Sequence, residues 1–201
     1  MKLAIGGAQF GLDYGLSNEN KRTKLDELIK ILDFCLTEKI NVIDTAMAYG
    51  NSEKQLGLAG VKGFKVITKI PAGINKINID IYSYISSLIE KSLKDLNVTK
   101  IYGLLLHQSM DLMSKNGEII YKCLEDFKSQ DMISKIGISI YDPHELETLI
   151  PNFGIDIVQA PYNLIDRRIE DTQWIIKLEK KKNSVIYSIC ISSRIAFDEQ
   201  R

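Results

Sequence analysis

Asp44, Tyr49, Lys69 and His107 are the residues of this 201-residue chain whose types and positions suggest shared chemistry. Asp44, Lys69 and His107 each close a short apolar or β-branched run, and Tyr49 stands in the loop after Asp44. A phenol titrates at about pH 10 and gives up its proton poorly unless its anion is stabilised. A neighbouring ammonium does this, contributing on the order of 4 kcal/mol at about 4 Å and an effective dielectric of about 20. Lys69 fits that part, and Asp44 fits the part of holding Lys69 charged and in place. Taken singly, each residue has a plainer reading: Asp44 as a cap for the turn at Thr45-Ala46, Tyr49 as a half-buried loop aromatic, Lys69 as a solvated strand end, His107 as a core histidine. It is the conjunction of complementary acid-catalyst parts at consecutive strand ends that points to chemistry. Lys69 by itself would also serve a Schiff-base lyase, since desolvated lysines can act as nucleophiles.

The elements that must position these side chains alternate along the chain. Short β-branched runs at 2–5, 41–44, 64–69, 101–107, 133–139, 155–159 and 184–190 predict strands. Between them, apolar residues recur at helical spacing, as in Leu25, Leu28, Ile29, Leu32, Cys35 and Leu36, and in the stretch framed by Tyr84, Leu88, Lys91 and Leu96. Further helices are expected at about 52–59, 117–130, 143–150 and 166–182, with Pro143 suited to a first turn. Strand followed by helix, repeated, implies parallel strands with right-handed crossovers: a doubly wound sheet or a TIM-type (β/α) barrel. A doubly wound dinucleotide site calls for GxGxxG after its first strand. The sequence there is Gly6-Gly7-Ala8-Gln9-Phe10-Gly11, which lacks that spacing and favours the barrel. In a barrel the loops after the strands converge on one mouth, so residues at strand ends meet there.

Composition sets the class. Apolar residues make up 45% and charged residues 26%, as in a globular domain with a sizeable core, and no linker or low-complexity tract divides the chain, so 1–201 is expected to be a single domain. Acidic and basic residues balance at 26 each, which leaves no net field to draw nucleic acid or an anionic membrane. The expected partner is a small molecule. The 3 cysteines are widely spaced and without CxxC, which argues against a disulfide framework and a zinc knuckle, and no metal is expected. No leader or membrane span is expected, and the protein is expected in the cytoplasm.

The segment Asn41-Val42-Ile43-Asp44-Thr45-Ala46-Met47-Ala48-Tyr49-Gly50-Asn51-Ser52-Glu53 resembles the "DTA..YG.SE" segment of the aldo-keto reductases. Val66-Ile67-Thr68-Lys69 is similar to that family's "TK" strand and Leu105-Leu106-His107 to its "LLH" strand. Ile136-Gly137-Ile138-Ser139 and Val158-Gln159-Ala160-Pro161-Tyr162-Asn163 are similar to its fifth and sixth strands. The resemblance implies reduction of an aldehyde or ketone by NADPH, with NADH as the alternative. It makes Tyr49 the general acid, His107 the residue that orients the carbonyl and assists proton transfer, and Asp44 and Lys69 the partners of Tyr49. On the same analogy Gln9, Phe10, Asp44, Ser139 and Gln159 line the nicotinamide.

The sequence also departs from the pattern. Ile140 stands where many relatives have Asn. A complete (β/α)₈ barrel takes about 250 residues, so an incomplete barrel of about seven parallel strands is expected, with the eighth βα unit missing. The first and seventh strands would then be open edges through which the chain self-associates, and coenzyme binding would be weak. A non-catalytic binding or regulatory remnant of the same fold is the alternative reading.

Overall fold

The computed structural model describes residues 3–13, 22–77, 80–181 and 184–188. Seven parallel strands lie side by side in sequence order: β1 (Ile5–Gly6), β2 (Val42–Asp44), β3 (Lys65–Ile70), β4 (Ile101–Leu106), β5 (Ile133–Ser139), β6 (Ile157–Pro161) and β7 (Ser184–Ser188). Helices cross between them: α1 (Ala8–Gly11), α2 (Leu25–Thr37), α3 (Ser52–Ala59), α4 (Ile81–Leu96), α5 (Gly117–Ser129), α6 (Glu145–Asn152), α7 (Arg168–Asp171) and α8 (Trp174–Lys180). Among the described residues there is no eighth strand, and β1 and β7 each have one neighbour. This is the arc of a TIM-type (β/α) barrel, as the strand-helix alternation predicts. Among the same residues, no helix is long and apolar enough to cross a membrane.

Strand alternation divides the core in two. Ile67, Leu105 and Ile157 form one buried cluster with Val42 and Tyr102 packed on it. Val42, Ile67, Leu105 and Ile157 lie on the strand face that, two residues further along, carries Asp44, Lys69, His107 and Gln159. That face is the barrel interior, filled with side chains as in other small barrels. Gly103 lies on it too, and a Cβ there would stand 2.8 Å from Ile157 Cδ1. The opposite faces, with Ile43, Val66, Ile70, Leu104, Leu106, Ile136, Ile138 and Val158, belong to the larger cluster beneath the helices.

The helices follow their apolar stripes. In α2, Leu28, Leu32 and Cys35 are buried, and Asp26 and Glu27 in the first turn oppose the helix dipole. Asp80 caps α4, accepting from Tyr82 N at 3.2 Å, and Asn97 ends it in the left-handed conformation.

Some boundaries differ from expectation, and strand ends shift by one to three residues, as in β1 and β6. Pro143 lies ahead of α6, whose cap is His144, in a turn where Leu146 N donates to Pro143 O; Pro151 instead falls inside the last turn. The helix expected at 166–182 is two pieces, α7 and α8, separated by Gln173 at φ 59°. The Thr172 hydroxyl there donates back to Arg168 O at 2.8 Å, which helps close α7. The expected strand at 184–190 is seen as β7, and positions 189 and 190 lie outside the described residues.

Candidate active site at the strand ends

Asp44, Lys69, Ser139 and Gln159 are brought to one end of the barrel by strand register. Asp44 pairs with Ile67, Lys69 with Leu105, and Ser139 with Gln159. His107 follows β4 directly, its N–H donating to Ile70 O at 3.1 Å. Tyr49 comes from the turn after β2, fixed by Tyr49 N to Ala46 O at 2.9 Å and Ser52 N to Tyr49 O at 3.1 Å.

The Lys69 side chain is 2% exposed, and its ammonium donates to Asp44 Oδ1 at 2.7 Å and to Thr45 O at 2.8 Å. It lies 5.3 Å from the centroid of the Tyr49 ring. Burial pulls the Lys69 pKa down and the Asp44 charge pulls it back up, with burial the larger influence. His107 meets Tyr49 edge to face, with ring centroids 6.1 Å apart and planes at 83°. Burial first, then the nearby Lys69 charge, lowers the His107 pKa, with Asp44 opposing. His107 is therefore neutral at pH 7.

On the other side of Asp44, the Gln159 amide donates to Asp44 Oδ2 at 3.0 Å. Gln159 is 5% exposed, and its Oε1 has no hydrogen-bond partner among the described residues. Ser139 is buried beside it. The remaining two expected site residues stand on α1, directly after β1. Gln9 is exposed on α1, whereas Phe10 is buried in the cluster beneath the helices, where it packs against core side chains.

Two residues outside the expected set hold the frame. A Cβ on Gly11 would lie 1.8 Å from Tyr49 O and 2.4 Å from Ser52 N, so α1 rests directly on the Tyr49 turn. Gly11→Ala is expected to push the two apart and lower the thermal unfolding midpoint by on the order of 5 °C. An unchanged midpoint would show that the contact yields freely.

The other is Glu53, 5% exposed, which accepts from the Thr68 hydroxyl at 2.7 Å and from the Ser92 hydroxyl. It joins α3, just after Tyr49, to the strand residue beside Lys69 and to α4. The sequence signal was Ser92 on the otherwise apolar stripe of Ile85, Ile89, Leu93 and Leu96. Burial raises the Glu53 pKa, with the two hydroxyls and Lys91 opposing. A carboxyl pKa raised on folding adds stability below the ordinary carboxylate range and loses it as pH climbs through the folded value. Glu53→Gln, which keeps the acceptor oxygen, is therefore expected to raise the urea midpoint at pH 7, with the gain fading toward about pH 4. A gain of the same size at both pH values would contradict this account of Glu53.

The sequence model described as "Aldo/keto reductase family" matches residues 2–192. Aldo-keto reductase YhdN of Bacillus subtilis (strain 168) is 25% identical over 199 residues, covering 93% of this chain and 56% of its own length. The chain thus spans little more than half of that relative. The crystal structure of PA4992 from Pseudomonas aeruginosa, assigned to the aldo-keto reductases, superposes with a TM-score of 0.76 at 24% identity, covering 92% of this chain and 71% of that one. Bombyx mori aldo-keto reductase AKR2E4, solved in complex with NADP, superposes with a TM-score of 0.66 at 17% identity, covering 92% and 61%. At these identities the two structures show the fold.

Proposed function

Since this chain belongs to the Aldo/keto reductase family, we propose that it is an NAD(P)H-dependent reductase of aldehydes or ketones in which Tyr49 protonates the carbonyl oxygen. The observation that carries this reading is the buried Lys69 ammonium, held by Asp44 and Thr45 O beside the Tyr49 ring. A phenol next to a fixed cation loses its proton more readily, because the cation stabilises the anion that remains. Thr45 O and Asp44 leave that ammonium little freedom to turn away. His107, neutral and edge-on to Tyr49, is placed to hydrogen-bond the substrate oxygen while Tyr49 donates.

The nicotinamide, when bound, supplies the hydride. The residues present fit such a group: Gln159 Oε1 is a buried acceptor without a protein partner among the described residues, and Ser139 lies next to it in register. These two would hold the carboxamide. NADPH is the proposed cofactor, with NADH as the alternative, and the NADP complex of the Bombyx mori relative supports that choice.

The arrangement also speaks against Lys69 as a Schiff-base nucleophile, because its ammonium already donates to a carboxylate and a carbonyl. Purified protein is expected to oxidise NADPH in the presence of simple aldehydes, and borohydride treatment with a carbonyl compound is expected to leave Lys69 unmodified. No turnover with any aldehyde, or a reduced adduct on Lys69 found by peptide mass spectrometry, would contradict the proposal.

A further inference from the structure

The Gln159 amide has one orientation open to it. Asp44 has both carboxylate oxygens engaged, Oδ1 by the Lys69 ammonium at 2.7 Å and Oδ2 by Gln159 Nε2 at 3.0 Å. A carboxylate carries no hydrogen to donate, so only the amide nitrogen can face it; turned over, two acceptor oxygens would meet in a buried place. Gln159 Oε1 is therefore the atom left for a ligand, in a residue 5% exposed.

We infer that Asp44, beyond its contact with Lys69, determines headgroup specificity by locking Gln159 so that the site presents an acceptor and selects a cofactor headgroup that brings an N–H. This rests on the nicotinamide reading of the site given above. A carboxamide on the pyridine ring supplies the N–H. An acetyl group in its place offers only a carbonyl oxygen to Gln159 Oε1, and a carboxylate adds a negative charge facing both that oxygen and Asp44.

The same logic gives an inverted result on substitution. In Asp44→Asn the Lys69 ammonium holds the new amide oxygen, which turns the Asn nitrogen toward Gln159. Gln159 then turns its oxygen to that nitrogen and presents its own N–H₂ to the ligand, so the demand for a ligand donor disappears.

The test is calorimetric titration of the protein with NADP⁺, its 3-acetylpyridine analogue and its nicotinic acid analogue. Wild type is expected to bind NADP⁺ about tenfold or more tightly than the acetyl analogue, since a buried acceptor left unpaired costs affinity of that order. The nicotinic acid analogue should be weaker still. In Asp44→Asn the ratio of NADP⁺ to acetyl analogue is expected to fall toward one, and the nicotinic acid analogue to gain. Gln159→Met leaves the Asp44–Lys69 pair in place and serves should Asp44→Asn not fold; it too should bring the ratio toward one. Equal binding of all three by wild type, or the full wild-type ratio kept in either folded variant, overturns the inference while leaving the cofactor reading intact. Binding of none of the three by wild type overturns both.

Discussion

Tyr49→Phe is expected to lower the turnover number for NADPH-dependent aldehyde reduction by about 10²–10⁴-fold, the contribution of a positioned general acid. Its affinity for NADPH should be unchanged. The substitution removes only the hydroxyl. The ring remains to meet His107 edge to face and to sit beside the Lys69 ammonium. The turn is held by backbone bonds that phenylalanine keeps. Among the described residues His107 is the group placed edge to face with Tyr49 that could donate in its stead, and burial and the Lys69 charge keep it neutral at pH 7. Any remaining activity through His107 should therefore rise only as pH falls below the ordinary imidazole range, about 6.5. Turnover near the wild-type rate at pH 7, measured by NADPH absorbance, would remove Tyr49 from the role proposed for it.

Lys69→Met should cripple the same reaction by about two orders of magnitude or more while leaving the KM for the carbonyl compound little changed. The ammonium touches Asp44 and Thr45 O and stands beside Tyr49, so its loss acts through the acidity of the phenol. Stability should move as well. Removing one partner of a buried ion pair costs about 3–5 kcal/mol when the other is left in place. The Asp44 side chain is 18% exposed, which screens it and puts the expected cost at or below the lower end. The Lys69 pKa is lowered on folding, so the wild-type ammonium is held at a cost that persists at every pH below its folded value, and methionine relieves that part. A loss confined to KM, with turnover intact, would show that Lys69 serves binding and not proton transfer.

The grouping of the candidate site's residues was largely legible in the sequence because strand alternation and strand ends fix which side chains share a barrel mouth. Asp44, Lys69 and Gln159 fall on one face by period-two spacing, and hydrogen bonds join them across positions far apart in the chain. The strand ends shifted by a residue, with β3 running to Ile70 and β4 stopping at Leu106, without moving Lys69 or His107 off that face. The burial of Phe10 was less legible: it adjoins the exposed Gln9 in sequence, and the short helix α1 turns it into the core beneath the helices. Glu53 looked like an ordinary first-turn acid of α3, favoured there by the helix dipole; its burial depends on Thr68 and Ser92 from two other elements. The break at Gln173 had no glycine to announce it, and a left-handed non-glycine residue is set by its surroundings more than by its own type.

The proposal is tested most directly by isotope transfer. NADPH carrying deuterium at the transferable position of its nicotinamide ring is incubated with the protein and an aldehyde, and the alcohol is analysed by mass spectrometry. The expected product carries one deuterium on the former carbonyl carbon, formed quickly by wild type and in far smaller amount by Tyr49→Phe over the same time. Alcohol without deuterium, no alcohol at saturating NADPH, or equal amounts of labelled alcohol from wild type and Tyr49→Phe would contradict an acid site built from Asp44, Tyr49, Lys69 and His107.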